Sequence, residues 1–416
     1  MNKSDIGEML KKLPSEERDK LYHKAKEVGF EHLSQMSEQE LLTWLKTVPL
    51  IPERASSKTA VETKNDSQQG NWFDKPLCGL TKEGIKHLKE LTEQLENPST
   101  SHHVDRKLVR YLKQLKNMRM VVPDIFRTKE SPKALYRRLV SFCKDHDIPE
   151  EIVQRVVPAL YTYIETGYLR PILFVGEKGS GKTTAVKLLV EEALKLHTEV
   201  IKIPQMDGGH GMTGDSGTYQ SADAGRIAKA RLRTNSLLVA YLFDEIDKVS
   251  HERNRANVDD ELLSITDESC CDIYDNFLET TLVGLEHCPM FMTANDLQKV
   301  SPILADRCNI VYFPNATSSR IKSISKKYVE KKMKGDIYSL IRFDYEMMNL
   351  HIDNLVNHGV TSIRKHQQMI EAVLENALDV ALSQESEDIV SVTKEMFAVA
   401  ERTVLSTEKR RAGFGR

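Results

Sequence analysis

Lys182 and Thr183 end the string Gly176-Glu177-Lys178-Gly179-Ser180-Gly181-Lys182-Thr183, which fits the spacing G-x-x-x-x-G-K-[ST], and Thr184 follows it. Glycines at this spacing let the main chain curl with its N–H groups turned inward, the geometry that a chain of phosphates needs. Lys182 then reaches the outer phosphates and Thr183 offers its hydroxyl to Mg²⁺. The residues from Gly176 to Thr184 are therefore candidate contacts for ATP.

A phosphate cradle needs acidic partners. The stretch LLVAYLFDEID, residues 237–247, is an apolar run that delivers Asp244 and Glu245 at its end. In an open α/β sheet, ligands bind at the carboxyl ends of the strands. There Asp244 would hold the Mg²⁺ shell, and Glu245 would orient or deprotonate the attacking water. A third run, PMFMTAND, ends on Asn295, a polar group suited to the γ-phosphate or the water. Next, SPILADRCNIVYF places Arg307 just before another apolar run. In the order phosphate loop, acidic pair, Asn, Arg, this arginine is a candidate finger acting on a neighbouring subunit. A finger supplied in trans requires copies joined by head-to-tail contacts.

The elements that must position these groups are legible around them. PILFV, EVIKI, SLLVAYLF, CPMFMTA and NIVYF alternate with helical patterns from about Pro171 onward. Four of them are continuous apolar runs, as expected of parallel strands covered on both faces. The fold class is α/β. After Pro314 the pattern reads as helices only. Upstream, residues 1–50 read as a small helical module, 51–72 as a flexible polar linker, and 73–165 as a helical region containing a basic stretch from Arg106 to Arg138. Residues 166–314 form the expected nucleotide domain, 315–405 a helical lid and 406–416 a mobile tail.

The order of these motifs is similar to that of AAA+ ATPases, and the detail resembles the ATPase module of Lon proteases. RPILFVGEKGSGKT, LFDEIDKVS and MFMTANDLQKVSPILADRCNIVYF carry the resemblance, which extends over about residues 169–382. It implies a P-loop αβα sandwich with a parallel sheet, followed by an α-helical lid and preceded by helical N-terminal regions. It also implies a homo-oligomeric, hexameric ring that threads protein substrates through a central pore. Tyr219 stands where Lon carries its substrate-gripping pore tyrosine. Arg364 is the candidate sensor 2 arginine, in a segment similar to that helix in other AAA+ groups.

Several positions depart from Lon. Glu177-Lys178 replace two prolines, Gln220 replaces an apolar residue after the pore tyrosine, and Thr361 follows Gly359-Val360 where Lon has its arginine. Nothing in the 416 residues resembles Lon's protease domain, so the expectation is a motor that remodels or unfolds proteins without its own peptidase. The N-terminal module would select cargo or bind a separate partner chain. A rival reading assigns Arg106–Arg138 to nucleic acid, in replication, mobile-element or defence functions.

The net charge of −2 provides no global attraction to nucleic acid or membrane. The cysteines, at 78, 143, 270, 271, 288 and 308, contain no C-x-x-C pair and read as reduced thiols in the cytoplasm. No apolar run is long enough to span a membrane. GDSG at 214–217 resembles a serine-protease nucleophile, but it lies between the two phosphate-site motifs and reads as loop. His210 in the preceding GGHG lacks a second metal ligand.

Overall fold

In the computed structural model, the described residues are 71–74, 77–97, 99, 104–128, 130–206, 210–216, 222–248, 256–267, 273–384 and 388–413. They belong to one unit, Gly70–Arg416. The N-terminal module, Tyr219 and the last three residues lie outside them.

Among the described residues, four helices precede the sheet: α1 (Lys82–Glu96), α2 (Arg106–Asn117), α3 (Pro132–Asp145) and α4 (Glu150–Thr166). Side-chain caps start the first three. Thr81 accepts from the Gly84 amide, Asp105 from Lys107 and Ser131 from Ala134, each satisfying an amide that the helix cannot. α4 ends on Gly167 at φ +74°, where a side chain would also collide with the Trp72 ring. Trp72, at the end of the expected linker, is buried. Its Nε1 donates to the Ile164 carbonyl at 3.0 Å and its ring stacks on His287.

The nucleotide domain then alternates strands and helices. In order these are β1 (Ile172–Val175), α5 (Lys182–Lys187), β2 (Thr198–Lys202), α6 (His210–Thr213), α7 (Arg226–Thr234), β3 (Ala240–Asp244) and α8 (Ala256–Ile265). A short hairpin of β4 (Ile273–Asp275) and β5 (Thr280–Leu282) follows, then β6 (Met290–Ala294), α9 (Pro302–Arg307) and β7 (Asn309–Tyr312). The main sheet has the order β2-β3-β6-β1-β7 and is parallel throughout. Register aligns Val175 with Ala294 and Phe243 with Met292, so the carboxyl ends of β1, β6 and β3 open side by side.

Both faces of the sheet are covered, which explains the continuous apolar runs. Leu173, Tyr241 and Phe243 enter one core with Leu108, Leu112 and Leu115 of α2. Ile172, Phe174 and Leu242 enter the other with α3 and α4. The helical stretch 73–165 thus shares its cores with the sheet.

After β7 come α10 (Ser318–Lys332), β8 (Ile341–Arg342), α11 (Tyr345–Asn357), α12 (Ile363–Ser383), β9 (Val390–Ser391) and α13 (Lys394–Gly413), around a third core. The expectation that strands stop after Pro314 needs correction, because β8 and β9 pair in parallel. Two residues per strand are too short to give a periodic signal in sequence.

Candidate functional site

The loop between β1 and α5 turns on Gly179 at φ +83° and Gly181 at φ +102°, conformations open to glycine at little cost. The buried Lys182 side chain points back into this loop. Its Nζ donates to the carbonyls of Gly176 at 2.6 Å and Glu177 at 2.9 Å, and to Asn295 Oδ1 at 3.1 Å. Burial lowers the pKa of this ammonium, and the nearby Asp247, Asp244 and Glu245 oppose that shift.

Thr183 Oγ1 donates to Asp244 Oδ1 at 2.8 Å. The same oxygen accepts from Thr293 Oγ1 at 2.6 Å, and Thr293 in turn accepts from the Glu245 amide at 3.0 Å. Thr293, on β6, is thus a strut between the two acidic residues, and no motif in the sequence marks it. Glu245 stands at φ +61°, a left-handed backbone that is costly for a residue with a Cβ. Its carboxylate is paired with Lys248 at 2.5 Å. Asn295 Nδ2 reaches Asp247 Oδ2 at 3.4 Å, and the other oxygen of this buried carboxylate has no partner.

Lys182, Thr183, Asp244, Glu245, Thr293 and Asn295 line a cleft of about 320 Å³. Its floor is the glycine loop with Lys182, Thr183, Thr184, Asp244, Glu245 and Asn295; Arg364 lies on its lid side. The lid meets the loop directly: the Ile363 amide donates to the Gly179 carbonyl at 3.0 Å, and Thr361 Oγ1 to Glu177 Oε2 at 3.3 Å. Arg320 of α10 donates to the carbonyls of Ser180 at 3.1 Å and Asp147 at 2.8 Å. Ile148, Leu188, Ile324 and Ile363 add apolar wall. Sequence reasoning missed Asp147, Ile148, Arg320 and Ile324, since they come from the α3–α4 turn and from α10, which no local motif links to the loop.

Arg307 is not among the cleft residues. Its guanidinium donates to the Leu263 carbonyl and pairs with Asp267 at 3.1 Å, both at the end of α8. The structure therefore brings together all the expected described groups except Arg307, and Tyr219 falls outside the described residues.

The donor set fits a nucleoside triphosphate with Mg²⁺. An ammonium held by two carbonyls and an amide oxygen can be re-aimed at phosphate oxygens. A threonine hydroxyl beside an aspartate is an oxygen pair suited to a hard cation. Among the described residues no group of three or more His, Cys, Asp or Glu side chains is placed to hold a metal ion.

Residues 172–315 match the family described as "ATPase family associated with various cellular activities (AAA)". The chain is 24% identical over 403 residues to Lon protease of Cytophaga hutchinsonii, covering 89% of this chain and 48% of that protein. It is 27% identical over 245 residues to a mitochondrial Lon protease homolog of Dictyostelium discoideum, 57% of this chain and 24% of the relative. It is 29% identical over 201 residues to Lon protease of Karelsulcia muelleri, 48% and 23% respectively. The matched stretches span less than half the length of each of these relatives. A glycine loop after β1, an acidic pair after β3 and a polar end to β6 are the parts that such a domain requires, and residues 172–315 of this chain are an AAA ATPase domain that resembles the ATPase module of Lon proteases.

Proposed function

We propose that this chain hydrolyses Mg²⁺–ATP at the cleft above β1, β3 and β6 and uses the energy to remodel or unfold protein substrates as a homo-oligomeric ring. Lys182 and the loop from Gly176 to Thr184 hold the phosphates, and Thr183 with Asp244 holds Mg²⁺. Glu245 orients the water, Asn295 senses the γ-phosphate, and Arg364 carries nucleotide state to the lid.

The observation that carries the reading is the convergence of two hydrogen-bonded pairs, Lys182 with Asn295 and Thr183 with Asp244, in one cleft. Arg307 lies away from its own cleft, on α9, which favours its acting on the next copy. Protein cargo is favoured by the Lon-like sequence and by the firmly held ends of the loop that contains Tyr219. Residues 1–50 are a candidate site for a separate partner chain.

Nucleic acid is a second reading with one observation behind it. Arg106, Arg110, Lys113 and Lys116 are exposed along α2, a helix with no acidic residue. Against it, Glu93 and Glu96 lie with Lys113 and Lys116 around one surface cleft, and Arg127 and Arg138 pair with Asp74 and Glu130.

The test measures ATP turnover with unfolded casein and with single- and double-stranded DNA. Stimulation by casein supports protein remodelling. Stimulation by DNA alone, falling steeply with salt, transfers the function to the second reading.

A further inference from the structure

The loop that contains Tyr219 runs between α6 and α7, and both of its ends are described. Gly214, at φ +78°, packs so closely on Gly225 that an added Cβ would lie 2.7 Å from the Gly225 nitrogen. The Asp215 amide donates to the Asp223 carbonyl at 3.1 Å, closing the stem. The hairpin β4–β5 fixes both sides: Asn276 Nδ2 donates to the Gly214 carbonyl at 3.1 Å, and the Gly225 amide donates to Asp275 Oδ2 at 2.8 Å.

The Asp223 carboxylate sits between two lysines. Lys229 of α7 pairs with Oδ2 at 2.9 Å, and Lys107 of α2 pairs with Oδ1 at 2.8 Å. Oδ1 also accepts from the Ala224 amide at 2.9 Å. Lys107 is unlike its neighbours in the basic stretch. Its ammonium turns inward over the Phe277 ring at 5.3 Å and lies 3.5 Å from the Ala222 carbonyl. α2 itself is anchored, since its leucines enter the core beneath the sheet and Gln114 Nε2 donates to the Leu232 carbonyl at 2.6 Å.

We propose that Lys107 is a positioning residue: by gripping Asp223 it makes α2, which lies outside the matched ATPase domain, the buttress of the loop containing Tyr219, so that force on the loop is borne by the body of the subunit. The inference rests on the reading that this loop handles a protein substrate. A loop with a slack stem yields under load; one braced by an ion pair and backbone hydrogen bonds on both sides does not.

The experiment uses the full chain with Lys107→Met, which keeps the aliphatic stem over Phe277, and Lys107→Arg, which keeps the charge. Hydrogen exchange is read at the Asp215 and Ala224 amides, and ATP turnover with and without casein. In Lys107→Met, exchange at these amides is expected to rise roughly three- to fivefold, the worth of a half-exposed ion pair. Casein stimulation is expected to fall several-fold while basal turnover stays unchanged. Lys107→Arg is expected to restore both. Unchanged exchange in Lys107→Met overturns the clamp, and loosened exchange with full casein stimulation overturns its link to the motor. Tyr219→Ala is measured in parallel. If it keeps full stimulation, the substrate role of the loop fails, while the exchange data still judge the clamp.

Discussion

Lys182 and Asn295 are joined by a hydrogen bond of 3.1 Å across 113 residues of sequence. The bond spans adjacent strands, because β1 and β6 are neighbours whose carboxyl ends are in register. A lysine in the phosphate loop is thereby tied to the polar group that follows β6. On the proposed reading, phosphate would replace Asn295 as the acceptor and free its amide for the γ-phosphate or the water.

The lysine contributes its charge from a buried position, so its loss is not compensated by solvent. Lys182→Met should weaken ATP binding by roughly 10- to 100-fold, the worth of one to two charge-assisted hydrogen bonds. Titration with a fluorescent ATP analogue measures this, and undiminished affinity would remove the lysine from the phosphate site.

Glu245→Gln should bind ATP normally and turn over roughly 10²- to 10³-fold more slowly, because the amide cannot accept a proton from water. Thr293→Val removes the strut to Asp244 and the acceptor for the Glu245 amide. It should lower turnover without the near-complete loss expected of Glu245→Gln, since the carboxylates remain but their aim is relaxed. Equal losses in the two variants would show that Thr293 does more than orient.

The parts of this architecture that could be read in the sequence were those whose physics is local. The glycine loop and the acidic pair are set within a few residues, and β1, β3 and β6 declare themselves because burial on both faces demands unbroken apolar runs. The hairpin Ile273–Leu282 escaped because strands of three residues carry no usable period. Asp147 and Arg320 escaped for a different reason: they meet across 173 residues, and neither belongs to a motif. The charge pattern of Arg106–Arg138 is equally consistent with a solvated helix face and a binding surface, and only the packing of α2 against the loop stem reveals that Lys107 turns over the Phe277 ring onto Asp223.

Arg307→Ala should retain ATP binding and lose turnover by about 10³-fold if its guanidinium completes a neighbour's site. The pairing with Asp267 and the Leu263 carbonyl must then be exchanged for the neighbour's phosphate. Mixing Arg307→Ala with Glu245→Gln subunits checks the arrangement. In a head-to-tail assembly some interfaces pair an intact Glu245 with an intact Arg307, so activity should reappear at intermediate ratios. No recovery at any ratio would place the arginine's role within its own chain.

Burial pushes the Glu261 carboxyl up to about 7 from an ordinary 4.5, and the hydrogen bond with Thr213 Oγ1 at 2.7 Å only partly offsets this. Its second oxygen is buried without a partner, so ionisation has little to stabilise it. Burial likewise pushes Asp275 up to about 6, against hydrogen bonds from Leu278, Gly225 and Phe277. A folded-state value above the unfolded one means that the fold binds the proton more tightly than the unfolded chain does. The stabilisation is fully present below the unfolded value and is lost as pH rises through the folded value. The thermal midpoint should therefore decline between about pH 4 and 7 through these groups. Glu261→Gln keeps a neutral side chain of the same shape at every pH and should flatten part of that decline, by roughly 2–4 °C. Thermal unfolding of both proteins across this range measures the difference in slope, and parallel curves would mean that Glu261 is already ionised in the folded protein.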